Sequence, residues 1–207
     1  MKKQLALAVA LAAASFAVSA DELSYNYIEA GYVRTDIDNL GDGDGYGVNG
    51  SAALGEVIHL FGGYSAQEGS ENGVEVDLDQ LRVGLGVNYA ISERADLLAR
   101  FAYERGETDI SVANLGTVSG EADGYSLELG VRGALASNFE GWVLAGYADL
   151  DQAEFEGVVL DTDEDEEDEV YGRIGAQFKF TPTWGVVAEG LIASDTNSVF
   201  VGLRASF

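Results

Sequence analysis

The chain holds one histidine and no cysteine, so any nucleophile-and-base chemistry has to be built around His59. His59 follows a Gly55-Glu56 pair that reads as a tight turn, and by alternation it falls on the polar face of its segment. A structural histidine, hydrogen-bonded to a neighbouring charge, accounts for that placement more simply than a general base. Carboxylates are abundant, with 36 Asp plus Glu against 11 Lys plus Arg, so paired acids carry little information about glycoside chemistry. The run 161–169 supplies hard oxygen ligands, Asp161, Asp163, Asp165 and Asp168, of the kind Ca²⁺ or Mg²⁺ accepts. It lacks the sixth-position Gly and twelfth-position Glu of an EF-hand loop, and Asp42-Gly43-Asp44-Gly45 is a fragment of a calcium motif. The expectation is a solvated acidic loop with weak divalent binding at most, no catalytic residue, no dedicated metal centre and no cofactor.

These side chains have to be positioned by elements that begin after residue 20. Met1-Lys2-Lys3, the apolar stretch Leu5–Val18 and Val18-Ser19-Ala20 have the basic, apolar and small-residue parts of a cleaved signal peptide. Residues 1–20 are therefore assigned to export and 21–207 to one folded domain. Removing Lys2 and Lys3 leaves 9 Lys plus Arg against the same 36 acids, which argues against nucleic acid as a partner.

Ten runs in the mature part alternate with a period of two, and none shows a convincing helical period. They cover 23–35, 44–54, 57–65, 76–89, 95–105, 123–134, 139–150, 170–180, 184–194 and 198–207. Runs of about ten residues suit tilted strands crossing a bilayer. The connections alternate too: 55–56, 90–94, 135–138 and 181–183 are tight, whereas 36–43, 66–75, 106–122 and 151–169 are long. Short turns on one side and long loops on the other are the habit of a bacterial outer-membrane barrel. The fold expected is all-β: a transmembrane antiparallel up-and-down barrel of ten strands, or eight if 139–150 or 184–194 is misread. Both termini would then be periplasmic and the long loops extracellular.

A soluble barrel alternates in the same way with its apolar face inward, and the aromatic residues decide between the two. Tyr32, Tyr46, Tyr64, Tyr103 and Tyr125 fall at the long-loop ends of the apolar face, and Tyr89, Phe180, Trp184 and Phe207 at the tight-turn ends. Two such belts mark two membrane interfaces. The polar face then lines a lumen and carries Glu29, Asp96, Glu104, Glu128 and Glu189 with Arg82, Arg100, Arg132, Arg173, Lys179 and Arg204. Near-balance of five acids and six bases is what an enclosed space requires. Most remaining acids lie at or beyond the long-loop ends, which makes that surface anionic.

The terminal run Ser198-Val199-Phe200-Val201-Gly202-Leu203-Arg204-Ala205-Ser206-Phe207 resembles the C-terminal strand, aromatic at its last residue, by which the barrel-assembly machinery recognises its substrates. Leu23–Val33, Asp42-Gly43-Asp44-Gly45-Tyr46 and His59-Leu60-Phe61-Gly62-Gly63-Tyr64 are similar to a family of small barrels from xanthomonads and related proteobacteria, within the OmpA-like barrel superfamily. The resemblance implies Phe207 as an assembly signal and specifies no chemistry. Two functions fit these features. One is a structural, surface-interaction or vesicle-associated barrel with a side-chain-filled lumen. The other is a narrow porin-like channel for cations or small solutes, kept open by small lumenal residues such as Gly47, Ser51, Gly63, Gly84, Gly86, Gly130, Gly175 and Gly202. Lipid and lipopolysaccharide are the expected partners, with Ca²⁺ or Mg²⁺ bridging acidic loops to lipopolysaccharide phosphates.

Overall fold

The computed structural model describes residues 23–37, 41–71, 74–112, 116–150, 154–155, 158–159 and 168–207. The expected signal peptide and Asp161, Asp163 and Asp165 of the acidic run lie outside these residues, and Asp168 opens a strand. The described residues form no helix. The strands are β1 (Tyr27–Ile37), β2 (Gly41–Ala53), β3 (Ile58–Glu71), β4 (Val74–Ser92), β5 (Ala95–Val112), β6 (Gly116–Ala136) and β7 (Phe139–Leu150). Two short pieces, β8 (Glu154–Phe155) and β9 (Val158–Val159), precede β10 (Asp168–Lys179), β11 (Trp184–Ile192) and β12 (Thr196–Ser206).

Ten long strands pair antiparallel in chain order, β7 with β10 across the small β8–β9 hairpin, and β12 returns to β1. The sheet closes into a ten-stranded barrel, which removes the eight-stranded alternative. Closure leaves no ladder edge among these ten, and the lone Pro182 sits in the β10–β11 turn, where a missing N–H costs no ladder bond. Gly55 turns the chain after β2 with φ +152°, a conformation that L side chains rarely adopt. Register shifts at Ala90/Ser92 and Ala134/Ala136 place a bulge beside two of the tight turns.

The apolar face is outward. Val83, Leu85 and Val87 on β4 and Leu127, Leu129 and Val131 on β6 are between 42% and 56% exposed. Such a continuous apolar exterior suits a barrel set in a bilayer and not one in water. All nine belt residues named from the sequence lie on it, and Phe139, Tyr147 and Phe178 extend the belts. Phe139 and Tyr147 share the outer face of β7; at ~3.4 Å per residue and a tilt of ~40°, their rings are ~20 Å apart in height.

Two connections expected as long loops, 66–75 and 106–122, are largely strand. β3, β4, β5 and β6 run on past the tyrosine belt as paired hairpins, and only 72–73 and 113–115 of these connections fall outside the described residues. The sequence reading stopped these strands early because their faces exchange polarity at the belt. Below it, apolar residues point outward. Above it, Val76, Ile110 and Val118 are cross-strand partners on the lumen-side face, while Asp79, Glu107 and Glu121 are partners on the outer face. Arg105, one row below, pairs with Glu107 at 3.1 Å and Glu121 at 2.9 Å and offsets the repulsion of stacked acids. Two belt tyrosines donate to carboxylates at this border, Tyr64 to Asp79 at 2.5 Å and Tyr103 to Asp123 at 2.8 Å.

The lumenal glycines are sockets for rings and branched chains from adjoining strands. A Cβ built on Gly175 would stand 2.3 Å from the Trp142 ring, on Gly86 2.1 Å from His59 Nε2, on Gly146 2.3 Å from Tyr171, and on Gly84 2.7 Å from Phe61. Gly130 accommodates Leu144 in the same way, and Gly202 lies against Phe200 of its own strand. The space that the sequence reading left for water is thus occupied at these positions, because cross-strand partners alternate small with large. Gly175→Ala should lower the stability of the refolded barrel by ~1–3 kcal/mol, the usual cost of overpacking, read as an earlier urea midpoint in detergent or vesicles.

Candidate functional site

Glu128 of β6 stands at the centre of the lumen, its side chain fully buried, and one carboxylate serves three guanidinium groups. Arg82 and Arg173 reach its Oε1 at 3.0 Å each, Tyr171 donates to the same oxygen at 3.0 Å, and Arg100 faces Oε2 at 3.6 Å. Each arginine has further anchorage. Arg82 pairs with Glu104 at 2.9 Å, and Arg173 pairs with Glu189 at 2.6 Å. Glu189 also accepts from Trp142 Nε1 at 2.6 Å. Arg82 and Arg100 both lie over the Phe61 ring, at 5.2 and 5.4 Å from its centroid.

Two further groups complete the network. Arg204 pairs with Glu29 at 2.6 Å and stacks over Tyr27 and Trp142 at 4.0 and 5.0 Å, while Asn49 donates to Glu29 at 3.0 Å. Arg132 pairs with Glu140 at 2.6 Å, and Lys179 pairs with the other oxygen of Glu140. Asp96 accepts from Tyr25 at 2.8 Å. The eleven charged residues placed inside from the sequence thus meet across the lumen instead of lining separate walls.

Sequence reasoning missed the twelfth. Glu140 is 3% exposed and brings the lumenal set to six carboxylates against six cations. It was hidden because β7 is apolar on both faces: Trp142, Leu144 and Ala148 are buried inside while Val143 and Tyr147 are exposed outside. Neutrality was the signal that could have found it, since five acids cannot balance six enclosed bases. The apolar part of the interior was missed for the same reason. Tyr25, Val33, Leu98, Trp142, Leu144, Val187 and Phe200 form one buried cluster inside the barrel.

The end that carries both termini is filled. Residues before β1 turn inward: Ser24 Oγ donates to the Phe207 carbonyl at 2.7 Å, and Arg132 donates to the Ser24 carbonyl at 2.9 Å while lying over the Tyr25 ring. Tyr25 stacks on His59 at 4.6 Å between centroids. Contrary to expectation, His59 has no carboxylate partner among the described residues. It is 2% exposed, and its Nδ1 is buried without a partner. Leu98 and Gln177, both fully buried, close the same level. Phe207, the expected assembly signal, ends the chain beside β1, its N–H bonded to the Asn26 carbonyl at 2.9 Å.

Towards the other end the lumen opens into a cavity of about 400 Å³ that runs from Thr196 and Ser198 near the rim down to Trp142 and Arg132. Among the described residues no group of three or more His, Cys, Asp or Glu is placed to hold a metal ion. The arrangement can recognise charged or hydrogen-bonding solutes.

Glu128→Ala should cost ~3–5 kcal/mol in urea unfolding of the refolded barrel, because three arginines lose one buried counter-charge. Glu107→Gln, on the exposed outer face, should leave the midpoint unchanged.

Comparison with known proteins places this geometry. The model of the outer membrane protein β-barrel domain matches residues 5–158. No curated protein sequence matches. Among solved structures, the chain is similar to the translocator domain of the autotransporter NalP from Neisseria meningitidis, at 14% identity over 100% of this chain and 95% of that one, TM-score 0.48. It is also similar to Ail, the attachment invasion locus protein of Yersinia pestis, at 12% identity over 88% and 97%, TM-score 0.47. The KdgM porin shows 12% identity over 87% and 99%, TM-score 0.44. The family match is to the broad domain and does not test the narrower likeness to xanthomonad barrels. Well over half of the sequence fits that domain, and the chain belongs to the outer membrane protein β-barrel family.

Proposed function

We propose that the protein is a sealed, non-enzymatic surface barrel that works through its projecting hairpins, with both termini in the periplasm and the hairpins outside the cell. The observation that supports this reading is the burial of Tyr25, His59, Leu98 and Gln177 inside the barrel, with Tyr25 stacked on His59. A buried histidine stacked on a tyrosine, with no exposed face, is a packing element. The acids on the outer face of the hairpins lie just above the tyrosine belt, at the height of lipopolysaccharide phosphates. Like charges at that height favour bridging by Ca²⁺ or Mg²⁺, and the aromatic Phe207 at the chain end suits recognition by the assembly machinery.

The channel reading draws support from the cavity at the far end and differs in one measurable respect. Refolded protein, its folding verified by a heat-dependent gel shift, should give no discrete conductance in planar bilayers. Tyr25→Ala combined with Leu98→Ala should produce steps; discrete steps from the unaltered chain would establish a channel instead. Orientation is open to a direct test because the chain has no cysteine. Ser111→Cys, in the β5–β6 hairpin, should react with an impermeant maleimide on intact cells, whereas Ser137→Cys, in the β6–β7 turn, should react only after lysis.

A further inference from the structure

We infer that the lumenal cavity is a binding site for small oxyanions, such as carboxylate-bearing solutes. Its wall is cationic in a protein whose formal net charge is −25. Five lumenal arginines line it, Arg82, Arg100, Arg132, Arg173 and Arg204, and Arg105, paired with Glu107 and Glu121, touches its rim. Four carboxylates, those of Glu29, Glu104, Glu169 and Glu189, line it with them. The imbalance arises because Glu128 and Glu140, which neutralise Arg82, Arg173 and Arg132 in the network, are buried beneath these arginines and do not line the cavity. Part of the counter-charge therefore lies off the cavity surface, while Glu104, Glu189 and Glu29 share the wall with Arg82, Arg173 and Arg204.

Arg100 is the group with capacity to spare. Its closest carboxylate oxygen is Glu128 Oε2 at 3.6 Å, longer than a hydrogen bond, and its Nε is buried without a partner. Arg82 stands beside it over the same Phe61 ring, so an anion placed there would meet two guanidinium groups above an apolar floor. A volume of about 400 Å³ lies within the ~300–1,000 Å³ range of small-molecule pockets. Low local dielectric strengthens the contact, and the anionic hairpins outside would slow entry without altering the site. The site does not depend on whether the terminus end is sealed, so conductance and anion binding fail or succeed separately.

Trp142 supplies the readout, because it lines the cavity and the chain has only one other tryptophan, Trp184, on the outer belt. In a Trp184→Phe background, succinate, citrate and sulfate should be titrated into the folded barrel against sodium chloride of matched ionic strength, with calorimetry in parallel. The expected result is a saturable change in Trp142 emission with at least one of the three. Arg100→Gln should weaken it by at least about tenfold, the loss of one charge-assisted hydrogen bond, Arg100→Lys should retain part of it, and Arg94→Gln should leave it unchanged. A heat-dependent gel shift confirms that each variant is folded. No saturable emission change and no heat with any of the three anions would overturn the proposal, as would binding that Arg100→Gln leaves intact.

Discussion

A closed barrel of ten strands encloses its polar side chains in a space with little water to screen them, and an unpaired charge there is far more costly than on a surface. The interior therefore has to be neutral as a set. Six carboxylates and six cations meet this condition only when Glu140 joins the network, and Glu128 satisfies it locally by serving three arginines at once. Residues from eight strands share these contacts, so the network also holds opposite walls of the barrel in register.

The same confinement explains the glycine pattern. Trp142, Tyr171, His59 and Phe61 are too large to stand opposite other side chains across a narrow lumen, and each lies over a glycine on an adjoining strand. Removing a Cβ there creates packing instead of a water path. With Tyr25 turned in from the segment before β1 and bonded to Asp96, that end becomes a small mixed core of rings and aliphatic groups.

Charge is distributed by height and by side. The outer face is apolar between the aromatic belts and acidic above them, where the hairpins leave the membrane. The lumen-side face of the same hairpins becomes apolar at Val76, Ile110 and Val118. Directly beneath lies a cavity whose walls are cationic. In this barrel the acids gather on the outer face beyond the belts and the arginines gather inside, paired with lumenal carboxylates.

Alternation along the chain pointed to a barrel of ten strands, or eight, and sorted eleven of the twelve lumenal charges onto one face, because a period of two assigns each side chain to a face without any knowledge of its partners; the aromatic positions then told which face is outward. What it could not decide were matters of contact between distant strands. β7 is apolar on both faces, so Glu140 entered the network only through its meeting with Arg132 and Lys179. The hairpins past the belt keep the period and exchange the polarity, which resembles a loop in sequence and is a strand only because its neighbours continue beside it. Whether glycine means space or a socket, and on which side of a wall a counter-charge lies, depends on which strand is next door and at what register. That is set by closure of the barrel, and only the tertiary structure contains it.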